Sequence, residues 1–368
     1  MNVVIRADAS LQMGTGHVMR CLTLADALTA RGANCQFICR EHQGNLIEQI
    51  RHKGYRTHAL PVVAEAGLSA GGTRHPAHAA WLGSSQEQDA TDCALILAVA
   101  KPDWLIVDHY ALDARWEQAL KPYSRQLMVI DDLADRPHAC DVLLDQTFGR
   151  DAEDYRAWVP AGCQLLCGSQ YALLRPEFAA LRPYSLERRT KPQLRQLLIT
   201  MGGVDKDNAT GQVLEALRAC PLPAECQIKV VMGSTAPWMT EVNKQALTMP
   251  WSTNVMVGVS DMARLMADSD LAIGAAGATT WERCCLGLPT AMLVLADNQR
   301  YAALLLDQAQ AVRILDLDKN LPDELTSFIG RTTNSDEYLK RLSDNAGVIT
   351  DGNGCHRVAD LLISRVAA

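Results

Sequence analysis

The chain has 368 residues, of which 48% are hydrophobic and 21% charged, a composition typical of a globular protein. At this length two domains are expected, because a single hydrophobic core seldom grows beyond about 250–300 residues. The net charge of −7 excludes the nonspecific nucleic-acid binding that a basic surface would give, so small-molecule partners are expected.

The sequence predicts a cytoplasmic protein without a membrane partner. No apolar run reaches the ~20 residues that a membrane helix requires, and the chain begins with a strand-like run instead of a basic and hydrophobic leader. The twelve cysteines are scattered without paired CxxC spacing, which indicates reduced thiols in the core. No cluster has metal-ligand spacing, so we expect no cofactor and no required metal, although magnesium could accompany a diphosphate weakly.

Apolar strand-like runs alternate with helical segments in both halves of the chain. In the first half these runs lie at 3–8, 36–40, 104–109, 126–132 and 142–146, and in the second at 196–203, 228–233, 255–259, 271–276 and 290–295. Strands separated by helices run parallel, because a parallel connection needs a long crossover. The pattern therefore predicts an α/β protein with two Rossmann-like domains, each built on a parallel sheet.

Residues 175–193 interrupt this pattern, because they are charged and contain three prolines, which is typical of an interdomain linker. We therefore predict an N-terminal domain at 1–185 and a C-terminal domain at 186–368. The segment 352–368 is expected to form a terminal helix after a glycine-rich turn, and such a helix is able to pack back on the first domain. Residues 61–85 fit neither period and are predicted to form a long loop.

The segment 14–17, GTGH, lies between the first strand and the first predicted helix. It is not a Walker loop, which needs Lys followed by Ser or Thr, and it is not a dinucleotide fingerprint, since Met19 occupies the position of the third glycine. Gly14 and Gly16 lie where backbone N–H groups lack helical partners and favour anions. Two interpretations of His17 remain: a residue that caps the helix, or a site residue beyond the carboxyl end of a strand, where ligands bind in open α/β sheets.

A second loop follows the strand-like run at 271–276. Gly274, Gly277 and Ala278 are small enough to let a ligand's phosphates approach the backbone, and Thr279 or Thr280 is expected to cap the helix that follows. This loop is therefore a predicted phosphate site.

Two carboxylates each have two interpretations. Glu282 falls in the first turn of the helix after the phosphate loop, where it either interacts favourably with the helix dipole or accepts hydrogen bonds from a ribose diol. Asp108 ends the strand-like run at 104–109 and is either a helix cap or a site residue.

Two more pairs of residues follow strands of the second half. Gly202 and Gly203 either form a tight turn or line the site, and Asn298 and Gln299 are polar side chains after the run at 290–295. Their positions at strand ends make all four candidates for ligand contacts.

Several short motifs together resemble those of a known family. In chain order they are RADAS (6–10), GTGHVMR (14–20), WLG (81–83), VDHY (107–110), GSQYALLRPEF (168–178), MGGVDKDN (201–208), GAAGATTWE (274–282) and the terminal GNG. By their order and spacing, the chain is similar over nearly its whole length to the UDP-2,4-diacetamido-2,4,6-trideoxy-β-L-altropyranose hydrolases of pseudaminic acid biosynthesis.

The resemblance implies a GT-B-like fold, in which two Rossmann domains face a cleft that holds a nucleotide sugar. It implies that water is the acceptor and that His17 is the base. By the same matching the substrate-binding residues are Arg6, Asp8, Gly14, Gly16, Asp108, Tyr110, Gly202, Gly203, Gly274, Gly277, Ala278, Thr279, Glu282, Asn298 and Gln299. Asp8, Asp108 and Tyr110 would face the sugar, and Glu282 with the 274–280 loop would hold UDP. The implied partners are a UDP-sugar and water, with no obligate protein partner, in a pathway that serves flagellin glycosylation.

Two other functions remain open on the sequence. A glycosyltransferase of the same fold would bind the same nucleotide, although one with a lipid acceptor should show an apolar or basic membrane-facing patch, and the N-terminal half shows no clear one. A noncatalytic nucleotide-sugar sensor would bind the ligand without turnover. Hydrolysis fits the residues because UDP is a good leaving group, so the reaction needs chiefly a base for water and donors for the growing diphosphate charge.

Overall fold

The structure is a computed structural model that describes residues 1–63, 76–234, 236–317 and 320–367. The chain divides into two compact units: unit 1 comprises Met1–Leu173 together with Gly354–Ala368, and unit 2 comprises Leu174–Asn353. The division therefore falls after Leu173 and not near residue 185, and the last helix is part of unit 1.

Unit 1 is a parallel α/β domain. Its described residues include the strands β1 (Asn2–Ala7), β2 (Asn34–Arg40), β3 (Arg56–Leu60), β4 (Trp104–Asp108), β5 (Gln126–Ile130), β6 (Val142–Asp145) and β7 (Gln164–Cys167). They pair in parallel in the order β3-β2-β1-β4-β5-β6-β7. The helices are α1 (Gly16–Thr29), α2 (Ile47–His52), α3 (Gln86–Ala100), α4 (Ala114–Leu120) and, numbered along the whole chain, α13 (Gly354–Ala367). Ala7 pairs with Asp108, so the residues that follow β1 and β4 are neighbours at one edge of the sheet.

Unit 2 repeats this architecture. Its described strands are β8 (Gln196–Thr200), β9 (Gln227–Met232), β10 (Thr253–Val257), β11 (Leu271–Ala275), β12 (Thr290–Leu293) and β13 (Arg313–Leu315), in the parallel order β10-β9-β8-β11-β12-β13. The helices are α5 (Pro176–Arg188), α6 (Ala209–Leu217), α7 (Met239–Ala246), α8 (Met262–Asp268), α9 (Thr279–Cys285), α10 (Arg300–Gln308), α11 (Leu321–Asn334) and α12 (Asp336–Gly347). Gly274 in β11 pairs with Thr200 in β8, which brings the loops after these two central strands together.

The central strands are apolar because helices cover the sheets. In β1, every residue after the first is buried, and β4 is buried along its whole length. The terminal helix α13 completes the core of unit 1: the indole N–H of Trp104 donates to the carbonyl of Leu362 at 3.0 Å, and the thiol of Cys355 contacts the carbonyl of Thr23 at 3.5 Å. The end of the chain is therefore needed to bury the N-terminal sheet.

The predicted linker at 175–193 is wrong, because most of it forms α5. Pro176 occupies the first turn, where its missing N–H needs no helical partner, and Pro183 is tolerated inside the helix at the loss of one backbone hydrogen bond. The predicted loop at 61–85 lies partly outside the described residues, at 64–75, whereas Ala79–Leu82 forms a 3₁₀ turn.

The twelve cysteines form no disulfide, and ten of them are buried as expected, whereas Cys163 and Cys167 are half-buried. Within the described ranges, no helix is both long and apolar enough to cross a bilayer.

Candidate functional site

The loop after β1 delivers His17 to the carboxyl edge of the unit 1 sheet. Ser10 and Gly14 close this loop with two backbone hydrogen bonds, of 3.3 Å from the Ser10 N–H and 2.8 Å from the Gly14 N–H. Gly14 has a φ of +77°, a left-handed conformation that glycine adopts without strain. Helix α1 begins at Gly16, and the imidazole of His17 hydrogen-bonds a carboxylate instead of the backbone, so the interpretation of His17 as a helix cap is wrong.

The carboxylate that holds His17 belongs to Asp108, the last residue of β4. Nδ1 of His17 lies 2.5 Å from Oδ1 of Asp108, and the side chain of His17 is 10% exposed. Burial by itself would raise the pKa of the Asp108 carboxyl, but Arg20 and then His17 hold that pKa well below its usual range. An ionised carboxylate accepts a hydrogen bond from Nδ1–H, which leaves the lone pair of a neutral imidazole on Nε2. Among the described residues nothing hydrogen-bonds Nε2, so this nitrogen is positioned to take a proton.

Arg20, one turn further along α1, fixes the position of Asp108. Its Nε and Nη2 donate to the two carboxylate oxygens of Asp108 at 2.6 and 2.8 Å, and its Nη1 donates to Asp132 at 2.6 Å. This forked pairing suits a planar guanidinium and restricts rotation of the carboxylate. The interpretation of Asp108 as a helix cap is wrong, because α4 is capped by Asp113, whose side chain accepts from the N–H of Arg115 at 2.9 Å.

Tyr110 completes the surroundings of the imidazole. Its ring packs edge-on against His17 with 4.5 Å between the ring centroids, and its hydroxyl donates to Asp132 at 2.8 Å. Tyr110 is 6% exposed, so it supports the His17 ring from a buried position. Asp132 was not predicted from the sequence, although its place two residues after β5 at the same sheet edge is a signal that could have identified it.

Further aromatic side chains extend from Tyr110. The Trp81 ring lies 6.0 Å from the Tyr110 ring in a stacked orientation, and the His78 ring lies 4.3 Å from Trp81. Trp81 and His78 are partly exposed, so Tyr110, Trp81 and His78 form an aromatic patch beside the imidazole of His17. Such flat apolar surfaces suit the apolar face of a sugar ring.

Arg6 and Asp8 lie beneath this site in a buried charge network. Nη1 of Arg6 donates to Asp8 at 2.5 Å, its other nitrogens bind Asp89, and Arg40 donates to Asp89 at 2.7 Å. Arg6 is 0% exposed and Asp8 is 1% exposed, so neither side chain reaches the surface. Oδ2 of Asp8 lies 3.3 Å from Nε2 of His109. The positive charges of Arg6 and Arg40 balance the negative charges of Asp8 and Asp89, and the network supports the sheet edge that carries His17.

The phosphate loop predicted in unit 2 differs from expectation in two ways. Gly274 lies inside β11 and not after it, and a Cβ atom there would lie 2.5 Å from Nη1 of Arg283. The expected helix cap is also wrong: the N-cap residue of α9 is Ala278, which makes no side-chain cap hydrogen bond. The hydroxyl groups of Thr279 and Thr280 instead accept hydrogen bonds from Arg283, at 3.0 and 3.3 Å.

Glu282 lies in the first turn of α9 with its side chain 17% exposed. Burial raises the pKa of this carboxyl to about 7, against the opposing effect of Arg175, whose Nη2 lies 4.0 Å from Oε1. Glu282 is therefore a carboxyl group that the unliganded protein stabilises poorly in its charged form.

The other predicted residues of unit 2 lie on neighbouring strand ends. Gly202 has a φ of +92°, with open space where a side chain would project, and Gly203 follows it in the loop after β8. Asn298 and Gln299 lie in a 3₁₀ turn after β12, and the amide of Gln299 accepts a hydrogen bond from the N–H of Leu295 at 3.0 Å. A Cβ atom on Gly277 would meet only the amide nitrogen of Gln299, at 4.0 Å, so the loops at 277 and 299 are adjacent.

Comparison with known proteins identifies relatives of both sequence and fold. Residues 196–363 match the glycosyltransferase family 28 C-terminal domain. Over 303 residues the chain is 25% identical to the UDP-2,4-diacetamido-2,4,6-trideoxy-β-L-altropyranose hydrolase of Campylobacter jejuni, a match that covers 82% of this chain and 95% of that protein. The chain is a relative of this hydrolase. The resemblance inferred from the motifs is thereby confirmed.

Solved structures of similar fold cover almost the whole of this chain. MurG of Acinetobacter baumannii has a TM-score of 0.69 at 17% identity, with 99% of both chains covered. LpCGTa, solved in complex with UDP, has a TM-score of 0.65 at 13% identity, with 100% of this chain and 99% of that chain covered. These similarities and the two parallel sheets confirm the predicted fold class, a pair of Rossmann-like domains of the GT-B type.

Proposed function

We propose that the protein is a hydrolase that releases UDP from UDP-2,4-diacetamido-2,4,6-trideoxy-β-L-altropyranose, in a step of pseudaminic acid biosynthesis. The observation that carries this proposal is the geometry of His17, whose Nδ1 is held by the buried carboxylate of Asp108 while Nε2 has no partner among the described residues. The similarity to the Campylobacter jejuni hydrolase over 82% of the chain supports the choice of substrate.

The proposed reaction is attack of water on the anomeric carbon of the sugar. Nε2 of His17 takes a proton from water as its oxygen bonds to the carbon, and the carbon–oxygen bond to UDP breaks, with the electron pair leaving on the diphosphate. The products are the free sugar, UDP and a proton that the imidazole later releases. Asp108 stabilises the imidazolium that forms, and Arg20 keeps Asp108 ionised and in position.

Unit 2 is proposed to bind the UDP. Glu282 would accept hydrogen bonds from the ribose hydroxyls, the small residues Gly277 and Ala278 with Thr279 would lie along the diphosphate, and Asn298 and Gln299 would border it. Gly202 and Gly203 would line the neighbouring loop. The residues that carry this proposal supply no step that needs a metal, so we expect activity to survive chelation by EDTA. A complete and reversible loss on EDTA treatment would contradict that expectation.

The bond that breaks can be tested with labelled water. A base beside the sugar is better placed to activate water for attack at carbon than at phosphorus. Hydrolysis in ¹⁸O-water should therefore put the label in the free sugar, as measured by mass spectrometry. Label in UDP would mean attack at phosphorus and would require another role for His17.

A glycosyltransferase is the second candidate, because residues 196–363 match the C-terminal domain of glycosyltransferase family 28. The two activities differ in the acceptor, so the deciding experiment is UDP release from UDP-diacetamido sugars with no acceptor added. Multiple turnovers in water support the hydrolase. UDP release that occurs only after an acceptor is added would support the transferase, and binding without any turnover would indicate a nucleotide-sugar sensor.

A further inference from the structure

Arg283 is a buried arginine without an ionic partner. Its exposed fraction is 1%, and among the described residues no carboxylate oxygen lies within 4.0 Å of its guanidinium nitrogens. The buried arginines of unit 1 differ, since Arg6 and Arg40 both bind Asp89. A buried charge is costly unless it is paired, so an unpaired one in a well-packed domain requires an explanation.

The contacts of Arg283 all lie in the loop that follows β11. Nη2 donates to the backbone carbonyl of Ala275 at 2.7 Å and to the hydroxyl of Thr280 at 3.3 Å, and Nη1 donates to the hydroxyl of Thr279 at 3.0 Å. The remaining nitrogen, Nε, is buried and has no hydrogen-bond partner in the described part of the chain. The guanidinium therefore connects the end of the strand to the start of α9 and places a positive charge directly under residues 275–280.

The backbone of β11 is adapted to this guanidinium. At Gly274 a Cβ atom would lie 2.5 Å from Nη1 of Arg283 and 3.0 Å from the carbonyl oxygen of Thr200, so a side chain there would displace the guanidinium. Burial lowers the pKa of Arg283 to about 10, which still leaves the group protonated near neutral pH. The strand thus accommodates a cation that forms no ion pair within the described residues, although the charge of the neighbouring Glu282 acts to raise its pKa.

We propose that Arg283 is a positioning residue for the diphosphate: it fixes the 275–280 loop and supplies the positive charge that a bound diphosphate balances. This inference rests on the proposed binding of a UDP-sugar by unit 2 and assigns the recognition of its anionic part. Because Arg283 acts through the loop and through its field, its removal should reduce affinity for phosphates and not for the nucleoside.

The test measures the affinities of uridine, UMP and UDP by calorimetry for the wild type and for Arg283→Met, which keeps the length of the side chain and removes its charge. UDP affinity should fall on the order of 10- to 100-fold, while uridine affinity should change less than about threefold. Arg283→Lys retains the charge without the forked donors, so its preference for UDP over uridine should lie between those of the other two proteins.

Arg189 provides a matched control. It is 6% exposed in the same unit, its pKa is likewise lowered by burial, to about 9, and its nitrogens donate to the backbone carbonyls of Leu286, Ser269 and Met266. Arg189→Met should destabilise the fold but leave the ratio of UDP to uridine affinity unchanged.

Two results would overturn the inference. One is a wild-type ratio of UDP to uridine affinity in both Arg283 variants. The other is a fall of this ratio in Arg189→Met that equals the fall in Arg283→Met. If Arg283→Met does not fold, the test compares Arg283→Lys with wild type. A purely structural role of Arg283 predicts equal losses of affinity for uridine, UMP and UDP. Failure of the proposed function has a different signature, because a protein that turns over no UDP-sugar can still show the phosphate-specific loss. Conversely, an active hydrolase whose Arg283 variants keep the wild-type ratio would refute only the inference.

Discussion

Replacing Glu282 with Gln should stabilise the unliganded protein and weaken its binding of UDP. The carboxyl group is 17% exposed, and burial raises its pKa from 4.5 to about 7. A shift of this size corresponds to at most about 3.5 kcal/mol, at ~1.4 kcal/mol for each pKa unit. Glutamine has nearly the same shape but no charge, so it removes the cost of burying a carboxylate.

The sign of the pH dependence follows from the raised pKa of Glu282. Well above pH 7 the group is ionised in both the folded and the unfolded chain, so the full penalty of about 3.5 kcal/mol applies. Below pH 4.5 it is protonated in both, and the penalty disappears. At pH 5.5 the same relation leaves about 1.4 kcal/mol. Glu282→Gln should therefore be more stable than wild type at pH 8 and less distinctly so at pH 5.5, as measured by denaturant unfolding.

Binding should change in the opposite direction. If Glu282 accepts hydrogen bonds from the ribose diol, glutamine should weaken UDP binding by ~1.5–3 kcal/mol. Wild-type affinity should also fall as the pH drops below 7, because binding selects the ionised carboxyl, and the Gln variant should lack this part of the pH dependence. The phosphate of UDP titrates in the same way with both proteins, so the difference between their calorimetric affinities removes this contribution. Unchanged UDP affinity would contradict ribose binding and leave Glu282 only its interaction with the helix dipole. A Gln variant less stable than wild type at pH 8 would refute the argument that burial of the carboxylate is costly.

Three further predictions concern unit 1. His17→Asn should lower kcat by ~10² to 10⁴ while leaving substrate affinity nearly intact, because it removes the proposed base, and a folded variant with near wild-type kcat would contradict the assignment. Asp108→Asn should lower kcat over a similar range, since an amide does not hold Nδ1–H as a carboxylate does; unchanged kcat would refute the orienting role. Trp81→Ala should raise KM for the UDP-sugar about tenfold without changing UDP affinity, if the aromatic patch contacts the sugar. An equal effect on UDP affinity would indicate a structural role for Trp81.

The central strands could be predicted from the sequence because their environment imposes a simple pattern. Strands covered by helices on both faces are continuous apolar runs, and β1, β4, β8 and β11 were all recognised in this way. The three strands that were missed, β3, β7 and β13, all lie at sheet edges. Edge strands are short and more polar, as in RTHAL at Arg56–Leu60, so their pattern does not differ from that of a loop.

Proline was a misleading signal in α5. The prediction of a linker relied on three prolines, but one of them begins the helix and another, Pro183, is tolerated within it. Local propensity disfavours this helix, and tertiary contacts compensate: Arg182 donates to the carbonyl oxygens of Cys285 and Gly347 at 2.5 and 2.6 Å. Such long-range support has no local signature in the sequence.

For the site, position along the chain identified residues better than it identified their roles. His17 and Asp108 were found because one follows and the other ends a strand-like run, and the structure pairs those two strands in parallel. Arg20 and Asp132, which hold Asp108 and Tyr110, were missed because a helical arginine and a second aspartate after a strand are common features of solvated surfaces. Thr279 or Thr280 was expected to cap a helix, whereas both hydroxyls accept hydrogen bonds from Arg283.

The balance of buried charge differs between the two units in a way that matches their proposed roles. In unit 1 the charged groups around His17 are paired within the chain, with Arg20 between Asp108 and Asp132. A site that moves a proton from water benefits from such fixed dipoles, because they need no reorganisation during the reaction. In unit 2, Glu282 and Arg283 are buried next to each other in sequence, and both have pKa values shifted by burial toward their neutral forms. The ribose hydroxyls of a bound UDP would donate to the Glu282 carboxylate, and its diphosphate would balance the Arg283 charge. Binding would therefore offset the unfavourable burial of both charges, and this gain would contribute to the affinity for UDP.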